Sequence, residues 1–407
     1  MILSPASLIS ALVLFHATLL GAQTPPPTAG LIRDIAARDV TLIVKADGSV
    51  VGFGRDENRM LARPASPREP NPAPVVVELP GRTLQVAVGA ASAYALLEDG
   101  TVVAWGANRD GQLGNGAMGA NGVLGIYPKP SVTPVRVTGL VDIIQIEAGG
   151  THALALRKDG TVWAWGSRED GALGDGQPTG LRALSAIGPI AVPGLEGIVQ
   201  IAVGETHNLA LRLDGRVLSW GSNNVGELGI GTRFTGWTPA EVTGLDRVVA
   251  IAAGSSGSHG VSGAVRDDGT LWVWGSNVSA MLGNGQGPMS PDDPGGRNPL
   301  PVQVPGIVGA KGLSIGMGHV AALLGDGSLR MWGHDGWGQI GVGTSGGYQK
   351  KPVKVTGITS VAAVYLDGAR SYAVRADGTL WIWGFSHYSG PGFLGKHLHV
   401  PTRLDLP

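Results

Sequence analysis

Carboxylates and imidazoles are the groups in this chain that could do acid–base or metal chemistry, and both recur at fixed spacing. Asp47, Asp99, Asp159, Asp214, Asp268, Asp326 and Asp377 are each followed by Gly. Six residues after each Asp stands Phe53, Trp105, Trp165, Trp220, Trp274, Trp332 or Trp383, again followed by Gly. His152, His207 and His319 each precede such an Asp by seven residues. Carboxylates do acid–base work when they converge, whereas one Asp per repeat spreads them around the molecule. They are read as turn formers. Equivalent His residues in different repeats are likewise too dispersed for a tetrahedral metal site, and are read as hydrogen bonding between strands of their own repeat. His397 and His399 share a strand face near His387, the weaker metal candidate. No metal site and no cofactor are expected.

Other chemistries lack their motifs. No Gly-rich phosphate loop stands between a strand and a long helix, and there is no Gly-Lys-Ser or Gly-Lys-Thr. A nucleophile elbow and a His-Glu-x-x-His pattern are both absent. The chain has no Cys, which excludes a thiol nucleophile, thiolate ligands, a lipid anchor on Cys and disulfides.

The elements that carry these residues follow from the repeat, best seen from Ile198 to Leu245. Asp-Gly between apolar runs signals a two-residue hairpin with a type I′ turn, so Leu209 to Trp220 reads as two antiparallel strands. Ile198 to Val203, β-branched and ending at a Gly, reads as a strand before them. Gly226, Leu228, Gly229 and Gly231 make a glycine-rich turn after them, and Pro239 to Val242 a Pro-led strand at a sheet edge. Such a four-stranded unit cannot bury both faces alone, so its copies must stack. The fold class is all-β, a seven-bladed β-propeller of four-stranded blades. The aromatics of the Trp-Gly pairs, with Trp163, Trp272 and Trp381 two residues earlier on the same strand face, are read as inter-blade core.

The 407 residues carry a net charge of −1, without the basic excess that nucleic acid or an anionic membrane surface would favour. With 67 Gly and 27 Pro but 43% apolar residues, the glycines serve turns and not disorder. Leu8 to Ala22 is an apolar run too short to span a bilayer, followed by Gln-Thr-Pro-Pro-Pro. The expected organisation is a signal peptide over 1–22, a Pro-rich spacer over 23–30 and a single propeller over 31–407. The protein is expected outside the cytoplasm, secreted or periplasmic, with no membrane insertion after signal removal.

The copies differ in informative ways. Blade 1 has Arg38 and Asp39 where others have Gly and a polar residue, Phe53 in place of Trp, and a charged, Pro-rich loop over Arg55 to Pro72. Blade 5 carries four extra residues between Gly254 and its Asp-Gly pair, read as a bulge or protruding turn. Blade 7 has Arg370 at the His position. Whether a terminal strand completes a blade begun at the other end stays open at this level.

Gly-x-x-His, then Asp-Gly, Trp-Gly and Gly-x-Leu-Gly-x-Gly together resemble the repeat of the regulator of chromosome condensation family, over Leu31 to Pro407. Gly149 with His152, Gly204 with His207 and Gly316 with His319 carry the first part of the match. The resemblance implies the propeller and several uses: nuclear exchange factors for a small GTPase, plant ultraviolet photoreceptors and secreted bacterial β-lactamase inhibitors. Photoreceptor members share Trp-Arg beside the repeat His, where this chain has Gly150-Thr151 and Glu205-Thr206. The secreted bacterial members are the subgroup it resembles most.

Tyr127, Phe234, Trp237, Trp337, Tyr348 and Tyr388, with Phe393, are read as loop aromatics outside the repeated apolar positions. Aromatics on loops of a rigid scaffold are usual interface anchors. The expected function is that of an exported, non-enzymatic and monomeric propeller binding another protein through loops on one face, with Trp237 and Trp337 foremost. The alternatives are an exchange-factor-like regulator of a small GTPase, a carbohydrate-binding or hydrolytic propeller with its site at the channel mouth, and a part of an adhesive surface system. Convergent carboxylates in the channel would favour a site there; a small apolar lining would count against it.

Overall fold

The computed structural model describes residues 32–63, 71–117, 130–178, 185–256, 259–290, 296–385 and 397–406. The expected leader and spacer, with Tyr127, Tyr388, Phe393 and His387, lie outside these residues. Seven four-stranded antiparallel sheets run in chain order from Ile32–Ala37 to Leu398–Leu404. Blade 4, with strands Ile198–Val203, His207–Arg212, Val217–Gly221 and Gly236–Glu241, is representative. First strands line the central channel, and fourth strands form the outer edge. Alternating strand direction puts the connections between strands 1 and 2, and between 3 and 4, on one face of the ring. We term it the socket face. The Asp-Gly turns lie on the opposite, hairpin face.

The hairpins close differently from expectation. In blade 1 the Lys45 N–H donates to Ser49 O, and the Gly48 N–H to Lys45 O, both at 2.9 Å. Gly48 has φ 82°, whereas no Asp of the seven Asp-Gly pairs has positive φ. This is a three-residue loop, a type I turn followed by a glycine bulge, and not the type I′ turn. The Asp47 carboxylate holds the Asp in the ordinary region by accepting from the Ser49 N–H at 2.9 Å and hydroxyl at 2.6 Å. The glycine is needed twice over. Gly269 has φ 76°, and a Cβ on it would lie 2.7 Å from Gly309 Cα of blade 6.

Six tryptophans join the blades. Each is fully buried and donates its indole N–H to a carbonyl in the turn between the third and fourth strands of the preceding blade, glycine-rich in all but blade 1: Trp105 to Met60, Trp165 to Gln112, Trp220 to Ala172, Trp274 to Glu227, Trp332 to Met281 and Trp383 to Gln339. The turn glycine makes room: a Cβ on Gly229 would lie 2.7 Å from Trp274 Nε1. Trp163, Trp272 and Trp381 are only half-buried, packed at the margin of the core. The guanidiniums of Arg157, Arg266 and Arg375 lie over them, which explains why they need no deeper burial.

The histidines bind across blades, not within them as expected. His152 Nε2 lies 2.8 Å from Asn208 Oδ1, His207 Nε2 2.9 Å from Ser262 Oγ, and His319 Nε2 3.0 Å from Ser371 Oγ. Asn208, Ser262 and Ser371 in turn donate to Ala172 O, Glu227 O and Gln339 O, the carbonyls that also receive the tryptophan N–H. A serine hydroxyl has one proton, and here it goes to the carbonyl, so His207 and His319 donate from Nε2. Burial lowers all three imidazole pKa values, those of His207 and His319 to about 3, and the rings stay neutral.

Ring closure uses no exchanged strand: blades 1 and 7 are each built from four consecutive strands. Ile43, Val51 and Phe53 of blade 1 pack on Tyr372, Val374 and Ile382 of blade 7. The Phe53 ring carries no N–H, so this seam lacks the indole bond of the other six. The extra residues of blade 5 lengthen Val248–Ser256 and His259–Arg266 into a hairpin paired out to Ser256 and His259, the protruding form of the expectation.

Candidate functional site

Two places on the ring present groups that the scaffold does not consume, the socket face and the channel. On the socket face, Phe234 is 81% exposed, Trp337 41% and Tyr348 38%. These are the exposed large aromatics among the described residues, and topology puts all three on one face. Trp337 is braced by Phe385 at 5.2 Å and His397 at 5.0 Å between ring centroids. Tyr348 meets His334 edge-on at 5.3 Å.

Two expected loop residues lie in strands. Trp237 is the second residue of Gly236–Glu241 and Tyr348 the first of Tyr348–Lys354. The glycine turns end earlier than sequence punctuation suggested, because the outer strand pairs back as soon as the backbone emerges from the turn. Trp237 is half-buried, its carbonyl takes the Gly176 N–H at 2.9 Å, and a Cβ on Gly171 would lie 3.2 Å from its ring. It serves the joint between blades 3 and 4. The ring contacts of Trp337 and Tyr348 are with Phe385, His397 and His334, not with another of the four aromatics; blade 4 holds Phe234 and Trp237, and blade 6 holds Trp337 and Tyr348.

The channel is an open cavity of about 580 Å³ lined by first strands of all seven blades. Its wall is polar over blades 1 to 4. Asp34, Gln85, Gln145 and Gln200 hold equivalent positions, and their side-chain oxygens accept the N–H of Val86, Ile146, Ile201 and Ile251 in the next blade. Blades 5 to 7 have Ala250, Gly312 and Ala363 there. The lining is thus not the small apolar one that would have counted against a channel site.

At the socket-face mouth Arg38 reaches from blade 1 to Glu205 of blade 4, with Nη2 3.0 and 2.8 Å from the two carboxylate oxygens. Gly150 leaves the space: a Cβ there would lie 2.6 Å from Glu205 Oε1. Beside this bridge, Arg370 pairs with Asp367 at 3.4 Å and donates to Arg38 O. The atypical residues of blades 1 and 7 are therefore partners at one mouth. Deeper in, burial raises Asp34 to about 6 and Glu147 to about 8, the Asp34 charge adding to the second shift. Burial also raises Asp367, to about 7.

Sequence reasoning missed Asp34, Glu147 and Arg38–Glu205 as a set. Arg38 stands out in the sequence as a departure from the repeat, but its partner is three blades away. The polar residue opposite the tryptophan was a readable signal: Asn208, Ser262 and Ser371 follow the blades with His, whereas Ala93, Ala153 and Val320 follow blades with Val40, Ser92 and Val261. Among the described residues, no group of three or more His, Asp or Glu side chains is placed to hold a metal ion.

Seven such blades around one channel, latched by tryptophan through glycine turns, define a β-propeller of the repeat type. The RCC1-like domain family matches residues 20–297, and the chain belongs to that family. It is 29% identical over 339 residues to the ultraviolet-B receptor UVR8 of Arabidopsis thaliana, covering 81% of this chain and 71% of that protein. To the human E3 ubiquitin-protein ligase HERC2 it is 28% identical over 359 residues, which are 85% of this chain and 7% of that ligase. The chain therefore spans a small part of that relative. The crystal structure of Prp20p from Saccharomyces cerevisiae, described with its binding to Gsp1p and histones, superposes with a TM-score of 0.67 at 25% identity over 82% of this chain and 80% of that one.

Proposed function

We propose that this chain is an exported, non-enzymatic propeller that binds another protein through its socket face. The observation that carries the reading is the placing of Phe234, Trp337 and Tyr348, the exposed large aromatics, on that one face of a rigid ring. Family membership supports it, since Prp20p is a protein-binding relative by its own description. Trp337 and Phe234 are the anchors of this reading, and Trp237 is reassigned to the blade joint. The short apolar leader supports export to the periplasm or the exterior.

The test uses the full chain expressed in its own host, with fractionation and cross-linked pull-down of the wild type and of Phe234→Ala/Trp337→Ala. A product outside the cytoplasm that enriches one protein, lost with the double variant, supports the reading. Equal capture by the double variant defeats the assignment of these anchors. A cytoplasmic product that enriches a GTPase replaces the reading with that of an exchange-factor-like regulator.

A further inference from the structure

The channel holds charged groups that neither the ring nor the proposed face employs. At the socket-face mouth Arg38 pairs with Glu205 and Arg370 with Asp367, while Arg33, the neighbour of Asp34 in the first strand, also lines the channel. Asp34 and Glu147 below them have no cationic partner among the described residues. Asp34 accepts the Val86 N–H at 3.0 Å, and Glu147 Oε1 accepts from Gln145 Nε2 at 3.1 Å. Glu147 Oε2 and the Tyr365 hydroxyl, which also line the channel wall, have no hydrogen-bond partner among the described residues. Asp34, Glu147 and Tyr365 are each partly accessible from the channel, so a ligand there can reach acceptors that the protein itself leaves open.

We propose that the channel is a binding site for a small organic cation bearing primary ammonium groups, seated between the Asp34 and Glu147 carboxylates with the Tyr365 hydroxyl as a further oxygen. An ammonium brings three N–H donors and one positive charge, matching a wall on which four carboxyl groups, those of Asp34, Glu147, Glu205 and Asp367, face two guanidiniums, those of Arg33 and Arg38. The cavity volume of about 580 Å³ falls within the usual range for small-molecule sites. A bare divalent ion is a poorer match, because no three acidic or imidazole side chains converge there. The bridge of Arg38 to Glu205 spans the mouth above the site. The site is separate from the socket-face aromatics, so failure of either reading leaves the other standing.

Protons report on occupancy. Glu147, raised to about 8 by burial first and by the Asp34 charge, is largely protonated at pH 7 when the channel is empty. Seating an ammonium beside it stabilises the carboxylate, and the proton leaves to buffer. The other charged or titratable groups lining the channel, Arg33, Arg38, Glu205, Asp367 and Tyr365, include no imidazole, and Glu205 and Asp367 already face arginines.

The experiment is isothermal titration of the full-length protein with putrescine at pH 7 in two buffers of different ionisation enthalpy, with 1,4-butanediol as the neutral probe of equal length. The expected result is one putrescine site with proton release and no heat from the diol. Asp34→Asn/Glu147→Gln should weaken binding by about 10-fold or more and abolish the release. Glu147→Gln alone, which removes only the group that must ionise, should bind more weakly with no release and covers the case in which the double variant fails to fold. Absence of putrescine binding, equal binding of the diol, or unchanged affinity and release in a folded variant overturns the proposal.

Discussion

Thr41 Oγ1 and Tyr372 OH lie 2.8 Å apart in the buried seam between the first and seventh blades, joining positions 331 residues apart. At the other seams a tryptophan N–H spans the junction; here Phe53 leaves that role vacant, and the hydroxyl pair joins the two blades in the core, with the Arg370 bond to Arg38 O nearer the channel mouth.

Tyr372→Phe should therefore destabilise the ring by about 1–3 kcal/mol, since it leaves the Thr41 hydroxyl buried without its partner. Trp220→Phe should cost less, about 1 kcal/mol, because Ala172 O keeps the Asn208 donor. Urea denaturation followed by tryptophan fluorescence compares the two. A smaller loss for Tyr372→Phe than for Trp220→Phe would mean that the seam is not specially dependent on its hydroxyls.

Glycine demand can be split into backbone and space. Gly244 and Gly269 both have positive φ, 71° and 76°, but a Cβ on Gly244 meets nothing within 4 Å, whereas on Gly269 it lies 2.7 Å from Gly309 Cα. Gly244→Ala should cost about 1 kcal/mol from conformation alone. Gly269→Ala should cost distinctly more, with the difference read in the denaturation midpoint.

Stability should depend on pH in two opposite ways. His207 and His319, held near 3 by burial, take up protons on unfolding, so their contribution is complete above pH 6.5 and is lost as pH falls toward 3. Asp34, Asp367 and Glu147, raised by burial to about 6, 7 and 8, bind protons in the folded state where the unfolded chain has released them. Their contribution declines as pH rises toward those values. Between pH 6.5 and 8 the acids dominate, and unfolding free energy should fall by roughly 1 kcal/mol or more. Glu147→Gln should flatten that decline and be the more stable protein at pH 8; an unchanged slope by equilibrium denaturation would reassign the effect.

Trp337→Ala should change stability by less than a buried core tryptophan, within about 1–2 kcal/mol, because the residue is already 41% exposed. Trp332→Ala, which empties a fully buried site and strands Met281 O, should cost about 3–5 kcal/mol or prevent folding. Thermal unfolding of the two variants separates a surface anchor from a ring joint.

The blade count, the hairpin positions and the outer Pro-led strands were legible in the chain, because they are local. A strand alternates by two, and Asp-Gly with its aromatic six residues later fixes the register of two neighbouring strands. The kind of hairpin was not legible, since Asp-Gly serves both the type I′ turn and the glycine bulge. Trp237 misled for a related reason: it departs from the repeat pattern, which is equally true of an interface anchor and of a residue filling the gap beside Gly171.

What the sequence by itself determined is the repeated unit and that seven of them must stack, since each leaves apolar faces it cannot bury alone. The tertiary structure alone decided how they are joined and what faces the channel. His152 finds Asn208 at 56 residues' distance and Arg38 finds Glu205 at 167, through a ring geometry that no local period encodes. Asp34 and Glu147 are ordinary polar residues in two strands until closure of the ring sets both on the wall of one cavity.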